Sequence, residues 1–158
     1  MFRVPVYRAD ARMWGHRDMV KIVLDAALAC YKKTGWLFEV KDCLHTVEAQ
    51  EIMRNTDIVK KNPHWLEEPG RLLSPPGKGG HPRAMAVDII LIDKNGEEID
   101  MGTRFDFLTE DRTNNPAARN YTRFCDDEAR NQRILYHRRV LEETMVEAAR
   151  AEIGRAHV

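Results

Sequence analysis

The sequence predicts an α+β fold: a small, mostly antiparallel sheet with flanking helices at one side. Three observations carry this. Helical apolar periods run over about Asp18 to Thr34 and about Asp126 to Arg150. Two short strand-like runs, "WLFEV" and "MAVDIILI", lie between them. The second run is followed by "DKNGEE", whose Asn95-Gly96 pair is a strong signal for a two-residue hairpin and antiparallel pairing.

Each element has local reasons. In the first helix Val20, Val23, Leu24, Ala27, Leu28 and Tyr31 form one apolar face, with Asp18 as N-cap and Gly35 as the stop. "WLFEV" ends in a turn near Asp42, and a short helix starts near Thr46 and covers "VEAQEIM". A long connection from about Thr56 to Pro82 follows, rich in proline and glycine. Trp65, Leu66, Leu72 and Leu73 predict that it is ordered and packs on the body. After the hairpin the return strand is "EEIDMG", then an irregular stretch, then the last helix with Ile134, Leu141, Met145 and Ala148 facing inward. No internal repeat or domain boundary interrupts the pattern, so one domain is expected.

The composition excludes several classes. Lysine plus arginine and aspartate plus glutamate each number 25, and no dense basic block occurs, so no electrostatic partnership with nucleic acid is expected. No apolar run reaches membrane-span length, and the first residues lack a secretion-signal pattern. The expectation is a soluble cytoplasmic chain with no membrane partner, or a periplasmic one if residues are missing from its start. Cys30, Cys43 and Cys125 form no CxxC pair, which argues against a disulfide framework.

One residue does not fit a buried strand. Val87, Ile89 and Leu91 would line one face of "MAVDIILI", and Ala86, Asp88, Ile90 and Ile92 the other. A carboxylate among them is costly unless a cation or good donors meet it. His81 stands seven residues earlier, at a glycine-rich junction. An imidazole and a carboxylate converging on one point suit zinc. A salt bridge from Arg83 or Arg104 to Asp88 would satisfy the same need.

The surrounding residues add a resemblance. "GGHPRAMAVD", then the hairpin, then "DMGTRFDF" resembles the zinc-dependent D-alanyl-D-alanine dipeptidases, the vancomycin-resistance dipeptidase type, whose pattern is H-x-x-G-x-A-x-D and later D-M-G-x-x-F-D. "DCLHTVEAQ" and "NQRILYHRRVLEETMVEAA" resemble two further segments of the family, so the likeness spans about Trp36 to Ala149 in order. It implies the zinc D-Ala-D-Ala peptidase and Hedgehog-like scaffold, zinc as cofactor, and a small dipeptide as substrate. It makes His81 and Asp88 zinc ligands and Asp106 the carboxylate that holds the substrate's free ammonium.

The sequence departs from the pattern at named places. His45 stands where the family places an arginine that steadies the tetrahedral intermediate; a histidine donates one hydrogen bond where arginine makes a charged, bidentate contact. Ala84 replaces a glycine, and Gly79 and Gly80 stand where some members have substrate-binding serines. The family's E-x-x-H segment, carrying the general base and the third zinc ligand, does not occur in the sequence. A back-translation of "EIGRAHV" resembles a sequencing adapter, so residues 152–158 are expected to be a non-native tail on a peptidase domain, 1–151, that lacks its catalytic segment and is inactive as it stands. The alternatives are a related cell-wall D,D-carboxypeptidase or endopeptidase, and a non-catalytic zinc-binding domain of the Hedgehog kind. His16, His64 and His137 read as structural or surface residues, His137 on the solvated side of the last helix.

Overall fold

The computed structural model describes residues 5–68, 71–111 and 113–156, the side chains of 155 and 156 aside. It is a small α+β fold. Helix α1 (Arg17–Thr34) leads through Gly35 into strand β1 (Leu37–Asp42). Helices α2 (Val47–Arg54) and α3 (Asp57–Lys61) follow, then strand β2 (Asp88–Ile92) and the long helix α4 (Glu128–Ala156). Short 3-10 turns occupy Pro63–Leu66 and His81–Arg83. Among the described residues, no helix is long and apolar enough to cross a membrane.

The strands pair antiparallel, from Leu37 opposite Ile92 to Val40 opposite Ile89. The register then slips by one residue, so that Asp42 lies opposite Asp88. This bulge ends the ladder with two carboxylates side by side. The hairpin turn forms, but as a three-residue loop and not the expected two-residue one: the Gly96 amide bonds the Asp93 carbonyl around Lys94 and Asn95, Gly96 takes a positive φ of 84°, and the Asp93 amide donates to the Glu97 carbonyl. The return strand, however, shrinks to a single bridge between Ile92 and Glu98. Beyond it, the Asp100 carbonyl bonds His137 Nδ1 at 2.7 Å and its carboxylate accepts from Arg130 at 2.9 Å, which draws the chain off the sheet. His137 is accordingly tied to the body and packs edge-to-face on Trp36, correcting its placement on the solvated side.

The core forms where the sheet meets α1 and α4: Leu91, Cys30 and Val140 bury together, with Trp36, Phe38 and Ile99 packed round them. The face of α1 differs from the one its periodicity suggested. Ala26 and Cys30 are its buried residues, whereas Val20, Leu24, Leu28 and Tyr31 are exposed. The small side chains let α1 approach α4 closely, turning the bulky stripe outward. On α4, Ile134 and Ala148 are buried as expected, but Val140 and Thr144 fill the places expected for Leu141 and Met145, which are half-buried.

Local signals held where the chemistry is local. Gly35 adopts the left-handed conformation that stops α1, and its amide bonds the Tyr31 carbonyl. The N-cap is His16 rather than Asp18, its Nδ1 accepting from the Asp18 amide at 3.3 Å. Thr46 caps α2 through the Ala49 amide. The proline-rich connection is ordered on Trp65, which is 1% exposed and donates from its indole to the Thr109 carbonyl at 2.7 Å; residues 69–70 lie outside the described part. Helix α4 continues to Ala156, so the stretch expected to be a tail is helical as far as it is described, and 157–158 lie outside.

Two side chains of α4 hold the irregular stretch after the hairpin. Buried Asn131 accepts from the Phe124 amide and donates to the Thr122 carbonyl. Arg138 donates to three carbonyls, of Met101, Ala118 and Pro116, and lies 4.3 Å from the centre of the Phe124 ring. Among the described residues no carboxylate shares this guanidinium; it serves as a hub of hydrogen bonds. Lysine at position 138 could satisfy only some of those carbonyls, so Arg138→Lys should cost about 1–3 kcal/mol in urea unfolding. An unchanged midpoint would remove Arg138 from the framework.

Candidate metal and ligand site

The bulge, the loop after β1 and the 3-10 turn before β2 bring three donor residues to one corner. His45, His81 and Asp88 place ligand atoms within 4.8 Å of one another, so this group could hold a metal ion. His81 Nε2 lies 3.6 Å from Asp88 Oδ1, and His45 Nε2 lies 3.9 Å from Asp88 Oδ2. The two imidazole rings stack with centres 4.0 Å apart and planes inclined by 14°.

The local backbone explains the convergence. The Ala84 amide bonds the His81 carbonyl, and the Met85 amide bonds the Gly80 carbonyl, closing a tight turn that aims His81 toward β2. Ala84 closes this turn at a positive φ of 54°. Glycine suits such a backbone better than alanine, which gives a physical reason for the glycine in the resembling pattern. A Cβ on Gly80 would meet the Ala86 Cβ at 2.8 Å, so no serine fits there without a shift. The His45 amide donates to the His81 carbonyl at 3.3 Å, fixing the two histidine segments to each other.

His81 Nδ1 lies 2.6 Å from the Cys43 carbonyl oxygen. A carbonyl only accepts, so Nδ1 carries the proton, and in a neutral ring Nε2 presents its lone pair toward Asp88. A lone pair facing a carboxylate at 3.6 Å is an unfavourable arrangement until a cation stands between them. The same arrangement, one ring nitrogen pinned by a carbonyl and the other free, is how proteins orient metal-binding histidines.

Asp88 itself is partly buried. Burial pushes its carboxyl above the usual range, the facing His81 and His45 oppose the rise, and the negative Asp42 adds to it. Neither arginine considered for Asp88 takes the role: Arg83 donates to the Gly79 carbonyl, and no ion pair joins Arg104 to Asp88 among the described residues. Asp42 is held differently. Burial would raise its carboxyl, but contacts from His45 and Tyr7 and the Cys43 amide outweigh it and hold it low. His45 Nε2 is 3.2 Å from Asp42 Oδ2, which also accepts from the Tyr7 hydroxyl at 2.7 Å. Burial and the hydrogen bond to Asp42 push the Tyr7 phenol far above its ordinary range.

Asp106 lines the same cleft, with Phe105, Leu72, Leu73 and Lys78. Its backbone is left-handed, φ 57°, and its carboxylate meets no hydrogen-bond donor among the described residues. Burial raises its carboxyl, and the charge of Asp88 raises it further. The cleft encloses about 270 Å³. Thus the four residues singled out in the sequence, His45, His81, Asp88 and Asp106, line one cleft. Asp42, Tyr7 and the Cys43 carbonyl were not foreseen; Asp42, three residues before His45 at a strand end, was the available signal.

Comparison with protein-family models, curated proteins and solved structures finds no match to this chain.

A raised carboxyl binds its proton more tightly in the folded chain than in the unfolded one. Stability from this source is therefore lost as pH rises from the ordinary carboxylate range through the raised value, and the loss is complete above it. Asp88→Asn should raise the thermal midpoint of the metal-free chain at pH 7, with little effect near pH 3. A lower midpoint than the parent in chelator at pH 7 would contradict this account of Asp88.

Proposed function

We propose that the chain carries the metal-binding and amine-binding surfaces of a zinc dipeptidase acting on D-alanyl-D-alanine-type dipeptides. The observation that carries this reading is the His81–Asp88 corner, whose free ring nitrogen faces a partly buried carboxylate at 3.6 Å, beside a cleft that also holds Asp106, which meets no hydrogen-bond donor among the described residues. The donor set fits zinc, which accepts imidazole nitrogen and carboxylate oxygen. Zinc bound there would polarise a peptide carbonyl and make water a stronger nucleophile at neutral pH.

The chain's own residues do the rest. Asp106 is a cleft carboxylate whose acid form is favoured by its surroundings and by the nearby Asp88, and a dipeptide's free ammonium would give it a positive partner. Arg54 is engaged with the Leu73 and Ser74 carbonyls, and Lys41 pairs with Glu39. Lys78 is the remaining cation of the lining and suits the carboxylate end of a small substrate. A cleft of about 270 Å³ suits a dipeptide better than a long peptide. The quoted resemblance to the dipeptidase pattern gives the same roles to His81, Asp88 and Asp106; the role of Lys78 rests on the cleft lining alone.

One observation favours a second reading, a zinc-binding domain without catalysis: no glutamate lines the cleft among the described residues. Binding separates amine recognition from general metal binding. In zinc-loaded chain, D-Ala-D-Ala should bind about 10–100-fold more tightly than its N-acetylated form, as expected for one charge-assisted hydrogen bond of roughly 1.5–3 kcal/mol. Asp106→Asn should erase that preference and leave zinc affinity unchanged. Equal binding of the two dipeptides by the parent chain would refute the amine site.

A further inference from the structure

We propose that His45 is a third ligand of the metal at the His81–Asp88 corner, bound through Nε2, and not a hydrogen-bond donor to the substrate. The inference rests on the metal reading above. It departs from the role that the resemblance attaches to this position, since the arginine expected there cannot coordinate a metal.

Distance is the first argument. Two donors on one tetrahedral zinc, each about 2.0–2.1 Å from it, sit roughly 3.4 Å apart. The gaps from His81 to Asp88 Oδ1 and from His45 to Asp88 Oδ2 are 3.6 and 3.9 Å, and one donor atom of each of the three residues lies within 4.8 Å of the others, so closing on one ion takes side-chain shifts on the order of an ångström. Orientation is the second. The rings are nearly parallel, 14° apart at 4.0 Å, and both Nε2 atoms lie beside the carboxylate. Both Nε2 atoms therefore face the side on which a shared cation would lie, and on coordination His45 Nε2 releases the proton it now donates to Asp42.

The third argument concerns what His45 must leave. Its Nε2 lies 3.2 Å from Asp42 Oδ2. When a metal draws the imidazole away, Asp42 keeps the Tyr7 hydroxyl at 2.7 Å and the Cys43 amide at 2.8 Å. No carboxylate is orphaned, so the exchange carries little of the usual penalty for an unsatisfied buried group. The His45 side chain is 16% exposed and its amide is tied to the His81 carbonyl, so the ring needs only a small movement. The resulting set of two imidazoles and one carboxylate leaves a position open for water or substrate, as hydrolytic zinc sites require.

The test uses the full chain and the metal alone. Zinc affinity is measured by competition with a chelating dye, and cobalt(II) absorption reports coordination, for the parent, His45→Ala, His45→Arg, His45→Gln and His81→Ala, each checked for folding by circular dichroism. The expected result is that all three His45 variants lose more than the roughly 10–100-fold that an outer partner costs, with weaker visible cobalt absorption. If folded His45 variants bind zinc within about threefold of the parent while His81→Ala does not, His45 is no ligand and only this inference falls. If the parent itself binds no zinc, the metal reading falls with it. His45→Gln guards against a packing artefact, because it fills the site and keeps a hydrogen bond.

Discussion

The structure turns on one constraint: the carboxylate of Asp88 stands at the first position of β2, partly out of water, facing imidazole nitrogens on His81 and His45. Burial raises the energy of the anion, the facing His81 and His45 oppose that rise, and His81 Nδ1 is turned the other way, to the Cys43 carbonyl. Nearby features keep that conflict in place. The bulge sets Asp42 beside Asp88, and the left-handed Ala84 holds the 3-10 turn that carries His81. Such a corner could hold a cation, because the charge that burial disfavours is what would attract one.

The framework is built to hold that corner from behind. A two-stranded sheet has little stability of its own, so β1 and β2 depend on the burial of Leu91 against Cys30 of α1 and Val140 of α4. Helix α4 then secures the stretch leading on from Asp106: Arg138 and Asn131 between them take five backbone hydrogen bonds from residues 101–124. The candidate substrate carboxylate therefore sits on irregular backbone fixed by one helix, and the candidate metal donors on β2 and the loop and turn beside it. Displacement of α4 would move one set relative to the other.

What could be read in the sequence was what local chemistry decides. Gly35 stopped α1, Thr46 began α2 and Asn95-Gly96 turned the hairpin, because each acts on its own neighbours. Asp88 was legible because a carboxylate in an apolar strand is an exception. The exposed stripe of Val20, Leu24, Leu28 and Tyr31 was misread, since periodicity gives the faces of a helix but not which one meets α4. The return strand was overdrawn because the pull of Arg130 and His137 on Asp100 comes from a distant helix. Asp42 was passed over although it ends a strand three residues before His45; its place opposite Asp88 comes only from the register slip, which the sequence does not show. His45 was singled out only by its place in the resembling pattern; that it lines the cleft near Asp88 could be known only from the fold.

The most direct measurement is a crystal of the full chain soaked in zinc and recorded at the zinc absorption edge. The account predicts an anomalous peak about 2.0–2.2 Å from His81 Nε2 and from an Asp88 oxygen, with Nδ1 of His81 still bonded to the Cys43 carbonyl. A map with no peak at this corner, and with His81 turned to hydrogen-bond Asp88 directly, would contradict it.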